Sequence, residues 1–438
     1  MMYSNTDEYY QSYCGSSLNP YLSRYIAEKK YQDKKLNRIL IALFLIFFVI
    51  VISLSKPIFA KTENIHNIQI KQEETVYLEE DFKRYIRSKY KNATISFPTK
   101  GIAHIKKIKF INKKPIKINV VEIDTKLNPN LKIKPQTATN KLNSKRTIRK
   151  IAQKENATIA INAGFFKPQT GVPLGALMID RKILTGPIYN RVGIAIFDNK
   201  DNIKFKIDNI NFDITAYSES QSIKLDNINQ PRMLSTYKLL YTPDWGKQSP
   251  IAPKNCYNLL IANNDIIKIS ANPIEFIENS FVIQAPKEII SKLTKNKSKI
   301  YIDIKLQKNL QGATHIIGAG PYLVKDSEIY VDAKEQKLQA ITGKNPRSAI
   351  GFREDGKFII TTIDGREKAS VGMTLNELAK FMKEIGCEQA MNFDGGSSSA
   401  LYVKGKITNS AINKEGIAVS NALIVKEIQK DELMLSSL

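Results

Sequence analysis

The stretch Met391–Leu401, Met-Asn-Phe-Asp-Gly-Gly-Ser-Ser-Ser-Ala-Leu, sets one carboxylate, Asp394, between an apolar run and two glycines followed by three hydroxyls. A carboxylate can move a proton or stabilise a developing cation. Gly395 and Gly396 let backbone N–H groups approach a ligand closely, and Ser398 can donate to an anionic or sugar oxygen. The same residues would also serve as a polar turn between two strands. A second group bears on that choice. Arg347 opens Arg-Ser-Ala-Ile-Gly-Phe352, and Asp364-Gly365-Arg366 closes the next apolar run, Lys357–Ile363. The Asp-Gly between those runs predicts a hairpin. Pairing about a centre near residue 355 sets Arg347 opposite residues 363–364, so a guanidinium and a carboxylate share one end. That pair reads either as a structural salt bridge or as part of a site.

The elements that must position these groups are marked in the sequence. Thr374 and Glu377 form a Thr-x-x-Glu capping box, and Leu375, Leu378, Ala379, Met382 and Ile385 follow at helical spacing until Gly386. Cys387–Phe393 then reads as a short buried strand, which delivers Asn392 and Asp394 at its C-terminal end. An earlier helix around Thr147–Lys154 carries Ile148, Ile151 and Ala152 on one side and leads into a strand, Thr158–Ile161. Asn162-Ala-Gly164-Phe-Phe166 comes next. The order is the same: helix, strand, Asn, glycine loop. Two such strands in one sheet would bring Asn162 and Asn392 to one edge, where open α/β sheets bind ligands. The two phenylalanines fit a core equally well. Around these elements lie short strands at Ile105–Ile111, Pro115–Ile123, through residues 190–310, and at Ala418–Val425. Trp245, in Tyr241-Thr-Pro-Asp-Trp-Gly, suits a sugar-stacking platform or a capped hydrophobic edge.

The chain has 438 residues, 42% of them hydrophobic, and a formal charge of +24. Such charge favours anionic partners. The lysines, however, are scattered among Asn and Ile, not grouped with aromatics, so nucleic acid is not the expected one. Cys14, Cys256 and Cys387, and His66, His104 and His315, show no paired metal spacing. Residues 1–38 end in Lys29, Lys30, Lys34, Lys35 and Arg38, and Ile39–Leu54 follows without a charge. This predicts a single transmembrane anchor over 39–60, with the N-terminus cytoplasmic and the rest outside. Ile58-Phe59-Ala60 offers the alternative of cleavage by signal peptidase. Residues 61–100 read as a charged spacer with one amphipathic helix, on which Leu78, Phe82, Tyr85 and Ile86 share a face. Residues 101–426 form the functional domain and 427–438 a tail. In an exported domain Cys256 and Cys387 are free to pair, but two separate buried thiols are the reading preferred.

Asn162-Ala-Gly-Phe-Phe, Arg347-Ser-Ala-Ile-Gly, Asp364-Gly-Arg and Asn392-Phe-Asp-Gly-Gly together resemble, in order and spacing, the phosphodiester glycosidase family. Many of its bacterial members are linked to exopolysaccharide biosynthesis. The family's Asp-Gly-Gly-Gly-Ser stands here as Asp394-Gly-Gly-Ser397-Ser398, and Ser348 replaces a threonine. The resemblance implies an α+β fold, a mixed β-sheet with flanking helices. It also implies hydrolysis of sugar-1-phosphodiesters in cell-envelope or exopolysaccharide material. Asp364 and Asp394 would act as base or nucleophile and as stabiliser, while Arg347 holds the phosphate through two parallel hydrogen bonds. Asn162, Gly164, Gly365, Arg366, Asn392, Gly395, Gly396 and Ser398 would contact substrate. The two aspartates with backbone carbonyls could instead hold a calcium ion. A glycan-binding protein that kept the fold without turnover is the alternative function.

Overall fold

A computed structural model describes residues 27–38, 41, 78–199, 202–231, 234–296, 298–409 and 415–428. The chain forms two units, Met1–Tyr77 and Leu78–Leu438. In the first, residues 27–38 are helical. Apart from Ile41, the anchor expected over 39–60 lies outside the described residues, as does the tail beyond Ile428. Among the described residues no helix is long and apolar enough to cross a membrane.

The second unit is built on alternation. Its main sheet runs Thr94–Thr99, Ile102–Ile111, Lys114–Ile123, Phe358–Ile363, Arg347–Phe352, Gln389–Asn392, Tyr322–Lys325 and Glu328–Ile329 in spatial order. Every neighbouring pair is antiparallel. Successive residues point to opposite faces. On one face Val121, Ile360, Ile350 and Met391 meet Ile161, Leu401 and Leu423 of a second sheet in one apolar cluster. That second sheet orders Lys406–Ile407, Leu401–Val403, Ile159–Asn162, Asn421–Glu427 and Leu131–Thr137. Its far face places Ala160, Ala422 and Ile424 against Ile148, Ile151 and Ala152 of the Ile148–Lys154 helix. On the main sheet's other face Val120, Ile359, Ile363 and Ala390 pack on Leu378, Ala379 and Met382 of the Leu375–Glu384 helix. The layers are therefore helix, sheet, sheet, helix.

The fold is α+β, mostly sheet with few helices. The single mixed sheet expected resolves into several sheets, antiparallel where they carry the site motifs. A parallel pair joins Asn227–Ile228 to Leu239–Tyr241. The spacer expected over 61–100 also ends earlier than read. Residues 78–89 are helical and bury Phe82 and Ile86, with Tyr90 just beyond, in the helix-side core. Thr94–Thr99 is an edge strand of the main sheet. Apolar burial outweighs the charged composition that suggested a spacer. Cys256 and Cys387 are buried and form no disulfide with each other, as expected. Burial pushes the Cys387 thiol up to about 12, which removes its nucleophilic form at neutral pH.

Candidate functional site: the loop around Asp394

The capping box forms as read: Glu377 N donates to Thr374 Oγ1 at 3.1 Å and Thr374 N to Glu377 Oε2 at 2.8 Å. This helix feeds the Gln389–Asn392 strand, and the chain then crosses from one sheet to the other. Asp394 N donates to the Ala163 carbonyl at 2.9 Å, and Gly396 N to the Pro346 carbonyl at 2.9 Å. A Cβ on Gly395 would stand 3.0 Å from the Pro346 oxygen, and one on Gly365 2.8 Å from Pro346 N. Both glycine loops thus close against the segment Asn345–Arg347, and a side chain at either glycine would hold them apart. Arg366 is exposed beside Gly396 and donates through Nε and Nη2 to Asn345 Oδ1 at 3.2 and 2.9 Å.

Asp394 keeps part of its surface at solvent, yet the packing around its carboxyl raises its pKa to about 6. The Ser398 hydroxyl and the Gly395 N–H, the latter 3.0 Å from Oδ1, oppose that rise by stabilising the anion. Desolvation prevails. At neutral pH the group is mostly ionised and close to its titration point, which suits proton transfer.

Asn162 sits where the two sheets meet. Its Oδ1 accepts from Ser348 Oγ at 2.7 Å and Ala400 N at 3.2 Å, and its Nδ2 donates to the Asp394 carbonyl at 2.5 Å. Asn162 and Asn392 belong to different sheets, contrary to the shared edge expected, because each strand pairs with partners remote in sequence. The loops after them still meet. Both asparagine side chains, expected to contact substrate, are hydrogen-bonded within the fold. Asn162 spends its amide on the fold, and Asn392, fully buried, donates to the Gly320 carbonyl at 2.9 Å and the Phe393 carbonyl at 2.5 Å. Gly164 likewise serves a close approach: its Cβ would meet the Gly318 oxygen at 2.8 Å, and its N–H donates to Asn421.

The hairpin register is Arg347 opposite Ile363, as read. Arg347 and Asp364 share that end of the hairpin, as read, but not a face. Ile363 points to the helix-side core with Arg347, so Asp364, one residue on, points to the other face. The Arg347 guanidinium instead donates to carbonyls: Nε to Met373 at 2.9 Å, and Nη2 to Ile341 at 2.7 Å and to Gly343. With two of its three nitrogens engaged and 1% of its surface exposed, it cannot offer a phosphate the planar fork expected. Burial lowers its pKa to about 10, so it stays cationic at neutral pH without a carboxylate partner among the described residues.

Asp364 lines a cavity of about 560 Å³ with Lys106, Lys117, Asn119 and Thr408. Asp394 and Arg347 are not among its lining residues. Sequence reasoning missed what leads there. Lys106 pairs with Asn119, Asn119 with Thr362 and Thr362 with Ser348, so a polar row crosses four strands and ends on Asn162. The available signal was an asparagine, a threonine and a serine inside otherwise apolar strands.

Residues 255–426 match the phosphodiester glycosidase family. The motif resemblance is thus borne out over that segment, which holds Arg347, Asp364 and Asp394 but not Asn162; the resemblance had been read over 101–426. The family's chemistry is hydrolytic cleavage of phosphodiester-linked sugars. An uncharacterized SPbeta prophage-derived protein of Bacillus subtilis, YomE, is 36% identical over 115 residues, 26% of this chain and 18% of that protein's length. A hypothetical protein from Synechocystis superposes with a TM-score of 0.69 at 22% identity, over 77% of this chain and 64% of that one. A protein of Burkholderia pseudomallei K96243 gives 0.61 at 21% identity, over 72% and 74%. At these identities the two structures show a shared fold. This chain spans less than two thirds of the first relative in each comparison. The phosphodiester glycosidase segment begins at the strand Cys256–Ala262 and takes in both glycine loops.

Proposed function

We propose that the protein hydrolyses the glycosidic bond of sugar-1-phosphodiesters in cell-envelope or exopolysaccharide material, with Asp394 at the reacting centre. The observation that carries this reading is a carboxyl poised near pH 6 in a glycine loop inside the family-matched segment. A phosphodiester leaving group is already anionic and needs little protonation, so the chemistry asks mainly for a base or nucleophile and for charge stabilisation. Asp394, largely ionised at neutral pH, fills the first role. Asp364, on the neighbouring loop, is the second carboxylate. Arg347 contributes its unmatched charge beside the Gly395 loop, and Arg366 is the guanidinium exposed to a phosphate oxygen. The calcium alternative would draw on the two aspartates and backbone carbonyls. Among the described residues no three His, Cys, Asp or Glu side chains cluster to hold a metal.

The purified full chain is expected to release free sugar from a panel of sugar-1-phosphodiesters, measured as reducing ends. Saturable binding of the same compounds without product would instead establish the glycan-binding alternative. The basic flank before the apolar run of 39–60 supports placement of the domain outside the membrane, anchored by that segment. Protease added to spheroplasts should then digest the domain while an N-terminal tag survives, and the reverse pattern would refute this placement.

A further inference from the structure

The cavity beside Asp364 carries charge that the cleavage of a single phosphodiester does not require. Register places Lys106 opposite Asn119 and Lys117 opposite Ile108, so Lys106, Lys117 and Asn119 share the cavity face of the sheet. Lys107 also borders the cavity. None of these three lysines is in an ion pair among the described residues, whereas Lys109, on the same strand, is held by Glu384. Asp364 is the only carboxylate among the described lining residues. The floor is built: Asn119 is 4% exposed, and its Oδ1 lies 3.1 Å from Nε2 of the buried His104. Asn92 and Thr94 close one side and Thr408 another, leaving hydroxyl and amide groups between the cations. A volume of about 560 Å³ exceeds what one phosphate occupies and falls in the range of small-molecule sites.

We infer that this cavity holds the continuation of the substrate beyond the scissile bond, and that the continuation is itself anionic. The substrate class is then a chain of repeated phosphodiesters, cleaved from a sugar end, in preference to an isolated sugar phosphodiester. The inference rests on the proposed function and narrows it. Spaced, unpaired ammonium groups recognise successive phosphates as point charges, tolerant of the organic spacer between them.

The test compares a synthetic sugar-1-phosphodiester bearing one phosphate with its homologue bearing two, in the wild-type full chain and in Lys106→Gln/Lys117→Gln. The wild type is expected to favour the longer compound in kcat/KM, and the double variant to lose about tenfold of that preference, in KM. Because the preference is a ratio within each preparation, partial unfolding cancels. Lys268→Gln, on the exposed Asp265–Ser270 strand, controls for net charge and should keep the wild-type ratio. An unchanged ratio in the double variant, or an equal loss for both compounds, would overturn the inference. Should neither compound be turned over, the proposed function fails on its own. Calorimetry with inorganic tripolyphosphate against orthophosphate then decides the cavity: tighter tripolyphosphate binding that requires Lys106 and Lys117 upholds it, and equal binding refutes it.

Discussion

Two charges are buried on the same face of the main sheet, at opposite ends, and they are treated differently. Glu122 is fully buried, and its Oε1 accepts from Lys89 at 2.6 Å and from Tyr90, while Arg353 lies 3.6 Å from Oε2. Arg353 also donates to Tyr85. One anion is thereby met by two cations and one phenol, with Tyr85 in turn holding Arg353, and the knot staples residues 78–90 to the sheet. Arg347, almost as deeply buried, is met by three neutral carbonyls. A matched buried charge organises the fold. An unmatched one leaves a field, and this one lies where Arg347 Cδ comes within 4.0 Å of the place a Gly395 Cβ would take. The contrast separates a structural end of the sheet from a functional one.

The largest effect that can break this comparison is on stability. Glu122→Ala leaves Lys89 and Arg353 without their shared anion and should cost about 3–5 kcal/mol, read as a lowered denaturation midpoint. Turnover per folded molecule should not change. A loss of turnover in the folded fraction would show that the knot also serves the site. Arg347→Gln removes a charge that no anion balances. Its cost should be smaller, about 1–3 kcal/mol for the carbonyls left unpaired. Here kcat/KM per folded molecule should fall about tenfold. Unchanged kcat/KM would make Arg347 another structural staple, and the comparison would collapse.

Local rules account for what was legible in the sequence. The Asp-Gly turn and the two-residue period fixed the Arg347–Phe352/Phe358–Ile363 register, and the capping box fixed the start of the Leu375–Glu384 helix. The facing of Asp364 followed from the same period, but the expectation weighed only the shared end of the hairpin and overlooked the alternation of faces. What lay beyond local rules was pairing between distant strands. That Asn162 and Asn392 occupy different sheets, and that Lys106, Asn119, Thr362 and Ser348 fall in one row, depends on registers joining segments some 240 residues apart. No window of the sequence contains that information. The contribution of residues 78–99 to the domain was half visible: the helical face was read correctly at Phe82, Tyr85 and Ile86 but not at the exposed Leu78, and the edge strand was not read.

The pH dependence of Asp394→Asn tests the central claim most directly. Folding raises the Asp394 pKa from the ordinary carboxylate value to about 6, so the folded state binds the proton more tightly than the unfolded chain does. This group's contribution to stability is therefore fully present below about pH 4 and is lost as pH rises through about 6. Replacing it with Asn should leave the melting temperature at pH 7 unchanged or higher. Wild-type kcat should show an acid limb near pH 6, and the folded variant should be slower by about 10²–10⁴-fold with that limb gone. A folded Asp394→Asn protein with near-wild-type turnover, or one that keeps the limb, would contradict the assignment of Asp394 to the reacting centre.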